Sequence, residues 1–333
     1  MEITTRTIRT WADEKGVPNL TLAELDYRLV HGLQAIYNDP FLRDRLYLKG
    51  GTSLNKFYTP NQGRLSVDLD FNAIGPREQV LEERTKYSER MMHVLGQQDS
   101  QYDFTYRWRY EQATVYARYT PLTGIAQQRL KVEISFIERF AILGREEHAL
   151  SGVPFEEPVV VNTYKLEELT STKLRALYDR RKGRDIYDLF HISEFNLNRE
   201  AVRKMMLYYF YRANKVFNYP VFVNNIEQKM ARRSFGDDIL GLIRQGRSLD
   251  WPAACERVLA YYAFLGELDD RDQHFLDLAK YLLHKPYPKT SEEIIKDIKH
   301  PLAWLMEGLS LSDEAASMTQ EDIGIYLPNS PEE

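Results

Sequence analysis

Between Leu48 and Phe71 the chain reads LKGGTSLNKFYTPNQGRLSVDLDF. An acid–x–acid pair inside the last, otherwise apolar run constrains the fold more than any other feature. Strand side chains alternate faces, so Val67, Leu69 and Phe71 point one way and Asp68 and Asp70 the other. An apolar face needs a core behind it. Two carboxylates on one face repel each other and resist burial unless a cation sits between them. The segment therefore predicts a half-buried strand over 64–71 whose polar side carries a divalent metal. Ahead of it, residues 46–49 predict a short strand, Gly50-Gly51 a turn, and Thr52 or Ser53 the cap of a helix reaching about Tyr58. Glycine lets backbone approach a phosphate closely, the N–H groups of a helix start favour an anion, and a hydroxyl adds a donor.

A third acid stands far along the chain. In RLKVEISFI (129–137) Lys131, Glu133 and Ser135 share one face, while Val132, Ile134 and Phe136 share the other. If this strand lies beside 64–71, Glu133 completes a set with Asp68 and Asp70. Carboxylates suit Mg²⁺, which takes hard oxygen ligands and keeps places for water and substrate phosphates. Residues 173–190, KLRALYDRRKGRDIYDLF, hold Lys173, Arg175, Arg180, Arg181, Lys182 and Arg184 among Asp179, Asp185 and Asp188. Lysine meets a triphosphate as a point charge and arginine bidentately. The plainer alternative is an exposed helix end carrying intrahelical ion pairs.

The remaining pattern places an α/β half before a helical one. The segment 21–38 predicts an amphipathic helix with Thr21 and Glu24 as a capping box, and 76–98 predicts another helix. Strands are expected at 102–110, 113–119, 129–137 and 158–161. Helical spacing dominates afterwards, at 164–179, 184–194, 199–216, 222–232, 236–245, 251–265, 273–283 and 291–298, with Thr290 and Glu293 as a second capping box. The fold class expected is α+β and bilobed, a mixed-sheet domain over 1–163 and a mainly helical domain over 164–333. At 333 residues the chain can bury two cores. No apolar run is long enough to cross a bilayer and the N-terminal stretch has no apolar signal core, so a cytoplasmic location is expected. The single cysteine, Cys255, excludes an internal disulfide and reads as a small buried side chain. A net charge of −5 argues against nonspecific coating of nucleic acid. Residues 199–247 nevertheless carry ten Lys/Arg against four Asp/Glu, a local balance compatible with a polyanion site.

Glycine turn, helix, D-x-D strand and distant acid together resemble the nucleotidyltransferase superfamily. The blocks LKGGTSL (48–54), RLSVDLDF (64–71), KVEI (131–134) and KLRALYDRRKGRDIYDL (173–189) resemble, more narrowly, the AbiEii/AbiGii toxin family. That resemblance implies a bilobed toxin of a type IV-like toxin–antitoxin pair, one lobe built as a nucleotidyltransferase. It implies Mg²⁺ (or Mn²⁺) on Asp68, Asp70 and Glu133, and nucleotide phosphates on Gly50, Gly51, Thr52 and Ser53. It further implies Lys173 on the triphosphate, Asp185 as base or organiser, and Arg180 and Arg184 as further phosphate contacts. The implied reaction moves a nucleoside monophosphate from an NTP to an acceptor, the tRNA 3′ end, blocking translation. The implied partner is an antitoxin of winged-helix repressor type. Two alternatives stay open: a protein side chain as acceptor, and a nucleotide-binding regulatory module without turnover.

Overall fold

The computed structural model describes residues 3–60, 62–109, 111–124, 126–150, 159–230, 235–284, 307–313 and 315. The expected helix at 291–298, with its capping box, lies outside them. The chain divides into two compact units. The first comprises residues 1–141, 145–165 and 239–249; the second comprises 142–144, 166–238 and 250–333.

In the first unit, α1 (Thr5–Lys15) and α2 (Leu20–Asn38) precede a single-turn α3 (Pro40–Arg43) and β1 (Leu46–Lys49). The helical turn α4 (Gly50–Ser53) runs on as a π-turn to Tyr58 and leads to β2 (Asp68–Ala73). Then come α5 (Arg77–Glu82), α6 (Arg84–Gln98), β3 (Asp103–Arg109), β4 (Gln112–Tyr119), β5 (Gln128–Ser135), β6 (Arg145–Ala149) and β7 (Val160–Tyr164). The strands form one mixed sheet in the order β3-β4-β5-β2-β1-β7-β6. The β2–β5 and β1–β7 pairs are parallel and the others antiparallel.

The apolar side of the sheet makes the core. Leu69 and Phe71 of β2 and Leu130, Val132 and Ile134 of β5 pack with Leu29, Leu33 and Ile36 of α2 and Tyr87, Met91 and Leu95 of α6. Gly32 of α2 faces this core, where a Cβ would make ordinary van der Waals contact with Leu95, Leu130 and Leu69 at 3.4–3.7 Å. The opposite side is left to β2's aspartates. Among the described residues no helix is long and apolar enough to cross a membrane.

Several local expectations are corrected. The cap of α2 is Asn19, whose side chain accepts the Leu22 N–H at 3.1 Å, and not Thr21. Glu24 is buried and grips Arg28 at 2.9 Å, instead of reaching back to the cap. The β2 ladder starts at Asp68, the helical run 76–98 breaks at Glu83, and Thr52 and Ser53 lie inside α4 instead of capping it. The edge strand β6, sequence REEHA, has no apolar face to mark it and is an addition to the expected strands.

The second unit is helical: α7 (Leu166–Arg180), α8 (Gly183–Ile192), α9 (Arg199–Arg212), α10 (Tyr219–Met230), α11 (Trp251–Tyr261) and α12 (Asp270–His284). The helix expected at 236–245 is a short 3₁₀ turn, Asp237–Ile239. Residues 239–249 return to the first unit, where the Leu65 N–H donates to the Leu242 carbonyl at 2.8 Å.

Candidate active site

Strand register assembles the acids. β2 and β5 run parallel with Asp70 opposite Glu133, so both side chains leave the sheet on the same face, and Asp68 joins them two residues back. One oxygen from each of Asp68, Asp70 and Glu133 lies within 4.8 Å of the others, and all three residues are half-buried. On the other flank β1 sets Lys49 opposite Asp70.

These carboxylates are electrostatically unequal. Burial, then the neighbouring Asp68, push the Asp70 carboxyl from 3.8 up to about 7, with Lys49 and Lys131 opposing and Glu133 adding to the rise. Glu133 is anchored by two donors, Gln112 Nε2 to Oε1 at 2.7 Å and Lys131 Nζ to Oε2 at 2.5 Å. The three residues thus present hard oxygen donors crowded enough to strain one another, and a divalent cation relieves that strain. The donor set fits Mg²⁺ or Mn²⁺.

The glycine turn sits directly against them. Gly50 has φ +71°, and a Cβ there would lie 2.8 Å from Asp70 Oδ2. A side chain is barred both by the left-handed backbone and by the carboxylate. A Cβ on Gly51 would lie 2.6 Å from Arg64 Nη2. The hydroxyls of the next two residues are turned into the protein. Thr52 Oγ1 donates to the Asp68 carbonyl at 2.5 Å, and Ser53 Oγ lies 2.5 Å from Thr163 Oγ1. Asn55 Nδ2 donates to the Gly51 carbonyl at 2.6 Å. The turn is therefore locked to β2, and its backbone, more than its hydroxyls, faces the acids.

Lys173, Arg180 and Asp185 belong to the second unit and form a cluster of their own. Asp185 is fully buried and takes Arg180 in bidentate fashion, Nε to Oδ2 at 2.8 Å and Nη2 to Oδ1 at 2.7 Å. Lys173 Nζ stands 3.4 Å from Asp185 Oδ1 and 2.8 Å from Asp188 Oδ2. Burial would raise the Asp185 carboxyl, but Lys173 and then Arg180 outweigh it and hold it below its ordinary value. At the start of α8, Asp238 accepts the backbone N–H groups of Gly183 at 2.9 Å and Arg184 at 3.4 Å. The half-buried Arg184 side chain makes no direct ion pair with Asp185 among the described contacts, but its charge adds to those that hold the Asp185 carboxyl low.

A family model described as nucleotidyl transferase AbiEii toxin, type IV toxin–antitoxin system, matches residues 32–260, well over half of the chain. This chain belongs to the AbiEii family. An AbiEii protein is a nucleotidyltransferase toxin, so membership brings with it an NTP substrate and an antitoxin partner. The fold is similar to that of MenT4, a nucleotidyltransferase toxin from Mycobacterium tuberculosis H37Rv, with TM-score 0.64 and 22% identity over 91% of this chain and 99% of that one. Two Helicobacter pylori structures match less well. JHP933 gives TM-score 0.45 and 17% identity over 77% of this chain and 96% of that one. A nucleotidyltransferase described as putative gives 0.43 and 18% over 73% and 96%. No curated protein matches.

Reading the AbiEii sequence alone missed Lys49, Gln112 and Asp188. Lys49 immediately precedes the glycine pair, and helical spacing from Asp185 points to Asp188, so both had a local signal. Gln112 had none, since only the β4–β5 register brings it to Glu133.

Proposed function

We propose that Asp68, Asp70 and Glu133 hold a divalent cation and that this AbiEii toxin transfers a nucleoside monophosphate from an NTP to the 3′ end of a tRNA. The observation that carries the reading is the convergence of three carboxylates from β2 and β5 beside Gly50. When bound, the cation supplies charge neutralisation at the α-phosphate and at the departing pyrophosphate. The chain's own residues do the rest. The missing side chains of Gly50 and Gly51 let the Asp70 carboxylate and the Arg64 guanidinium close in on the turn, and we assign the turn's backbone to the phosphate oxygens. Gln112 and Lys131 keep Glu133 aimed at the site. The acceptor's hydroxyl oxygen forms the new bond to the α-phosphorus, its proton leaves to solvent, and pyrophosphate departs with the bridging oxygen. Asp185, with both oxygens engaged, serves as the anchor for Arg180 and Lys173 and not as the proton acceptor. We assign Arg180 and Arg184 to triphosphate charge, while Lys173, buried against Asp185 and Asp188, holds that cluster together instead of meeting the phosphates. A winged-helix antitoxin and cytoplasmic action complete the reading.

The test is incubation with total RNA and each of four α-labelled NTPs, with Asp68→Asn as control. RNase-sensitive label with wild type, abolished by EDTA and by Asp68→Asn, is expected. Protease-sensitive label would assign a protein acceptor. NTP binding without label in either fraction would leave a regulatory module.

A further inference from the structure

The basic segment 199–247 does not offer its charge as one surface. Residues 239–247 belong to the first unit. In the second unit, Arg203 pairs with Asp269 and Asp272, Lys204 is buried against Glu200, and Lys215 pairs with Asp179. A different set of cations collects across strands. β5 is antiparallel to β4 with Lys131 opposite Tyr116 and Arg129 opposite Arg118. β4 is antiparallel to β3 with Thr114 opposite Arg107 and Gln112 opposite Arg109. Directly opposed residues share a face. Arg107, Arg109, Arg118, Arg129 and Lys131 therefore lie on the same side of the sheet as Glu133, and the row begins at the acidic site.

These side chains are accessible where it matters. Arg107, Arg109 and Arg129 are exposed, and among the described residues no carboxylate pairs with any of the three. Arg118 meets Asp103 only at 3.8 Å, with both groups largely in water, a contact worth little. Arg129 lies over the Tyr116 ring, 4.9 Å from its centroid, so an aromatic face is held within the row. The apolar positions of the same strands, Ala113, Val115 and Ala117 on β4, go to the opposite, buried side.

We infer that the open face of β3, β4 and β5 is the track for the acceptor strand, a single-stranded RNA 3′ end whose phosphates meet Arg107, Arg109, Arg118 and Arg129 and whose terminal hydroxyl reaches the acids. The inference rests on the nucleotidyltransfer reading of the acidic site. Guanidinium groups match phosphate oxygens bidentately, and Tyr116 offers a surface on which a base stacks. Adjacent strands are about 4.8 Å apart, so the row from β5 to β3 is about 10 Å wide, room for two or three nucleotides. An acidic protein would find the same charge and could present a Ser, Thr or Tyr hydroxyl, but a row of guanidinium groups with an aromatic ring among them matches the repeating phosphates and bases of a nucleic-acid strand better.

The experiment measures binding of a short single-stranded RNA with a free 3′-hydroxyl by fluorescence anisotropy over a salt series. Arg107→Gln/Arg109→Gln is expected to weaken binding about tenfold and to reduce the log–log salt slope by about 1.4, two contacts at 0.7 each. Binding of labelled NTP with Mg²⁺ and the thermal midpoint stay at wild-type values. In transfer assays the KM for RNA rises while that for NTP is unchanged. Unchanged RNA affinity and slope in the variant overturn the inference, as does a wild-type protein that fails to bind the oligonucleotide. Loss of antitoxin binding with RNA binding intact also overturns it and makes the face a protein surface. Asp70→Asn separates the two readings, because it should bind the same RNA and transfer nothing. If wild type labels protein instead of RNA, the acceptor assignment falls on that result, while the salt slope still decides the face.

Discussion

Asp70 is the residue whose replacement reports most directly on the site, because its cost to the metal-free fold can be worked out. Its carboxyl rises from 3.8 to about 7, by burial first and by Asp68 next. The sign follows from proton linkage. Between about pH 4 and pH 7 the folded protein keeps a proton that the unfolded chain has lost, so stability falls as pH rises through that window and levels off above it. Each pH unit separating the folded from the unfolded value is worth about 1.36 kcal/mol, giving a ceiling of about 4 kcal/mol at pH 8 and about 2 kcal/mol at pH 5.5. Among the described residues no hydrogen bond reaches the Asp70 side chain, so asparagine loses the penalty without orphaning a donor. Asp70→Asn should therefore stabilise the metal-free protein by up to about 4 kcal/mol at pH 8, by about half of that at pH 5.5, and by nothing below pH 4. Urea denaturation in EDTA at the three pH values measures this. Added Mg²⁺ should then raise the stability of wild type at pH 8 and leave Asp70→Asn nearly unmoved. A variant less stable than wild type, or a gain independent of pH, would refute the claim that mutual repulsion and burial strain these carboxylates.

Gly50→Ala should cost about 1–2 kcal/mol from the left-handed backbone alone, and should abolish transfer because its Cβ displaces Asp70 Oδ2 from 2.8 Å. A thermal melt and a transfer assay on the same preparation check both parts. Lys173→Met should destabilise the protein by about 3–5 kcal/mol, since it leaves Asp185 and Asp188 buried with less positive charge, and adding Asp188→Leu should recover part of the loss. Stability in urea over the four-member mutant cycle measures the coupling. Because Asp185 is held below its ordinary range, its contribution to stability is present above about pH 4 and is lost as pH falls through the lower folded value.

Period-two alternation made β2 legible, since Leu69 and Phe71 announce a core face and assign Asp68 and Asp70 to the other without any knowledge of neighbours. Glu133 was legible only as a condition. Its own strand gave its face, but the parallel pairing that puts it opposite Asp70 joins segments far apart in sequence, and nothing local encodes that register. The glycine pair could be read as a turn, while the reason for Gly50, an aspartate carboxylate where its side chain would be, exists only in three dimensions. The failure at 236–245 has a local cause. Ile239, Leu240, Leu242 and Ile243 imitate a helical stripe, but Gly236 at φ +91° and Gly241 at φ +83° break it. Lys173 and Asp185 looked like exposed phosphate chemistry in the sequence, and the structure buries them as an ion pair, because helical spacing alone does not say which side of a mixed stripe is covered.

Charge shows the same limit more generally. A count along the chain singles out 199–247, yet several of those cations are neutralised by acids distant in sequence, and the segment is shared between two units. The cations of β3, β4 and β5 attract no attention in the chain, because each alternates with an apolar or aromatic residue and the runs are separated by loops. Antiparallel pairing interleaves them, and a row of arginines beside three acids results. An electrostatic footprint on a sheet is a property of register, so it has to be sought across strands. This row starts beside Asp68, Asp70 and Glu133, so under the proposed reaction a polyanion bound along it would lead to the residues that would hold the metal.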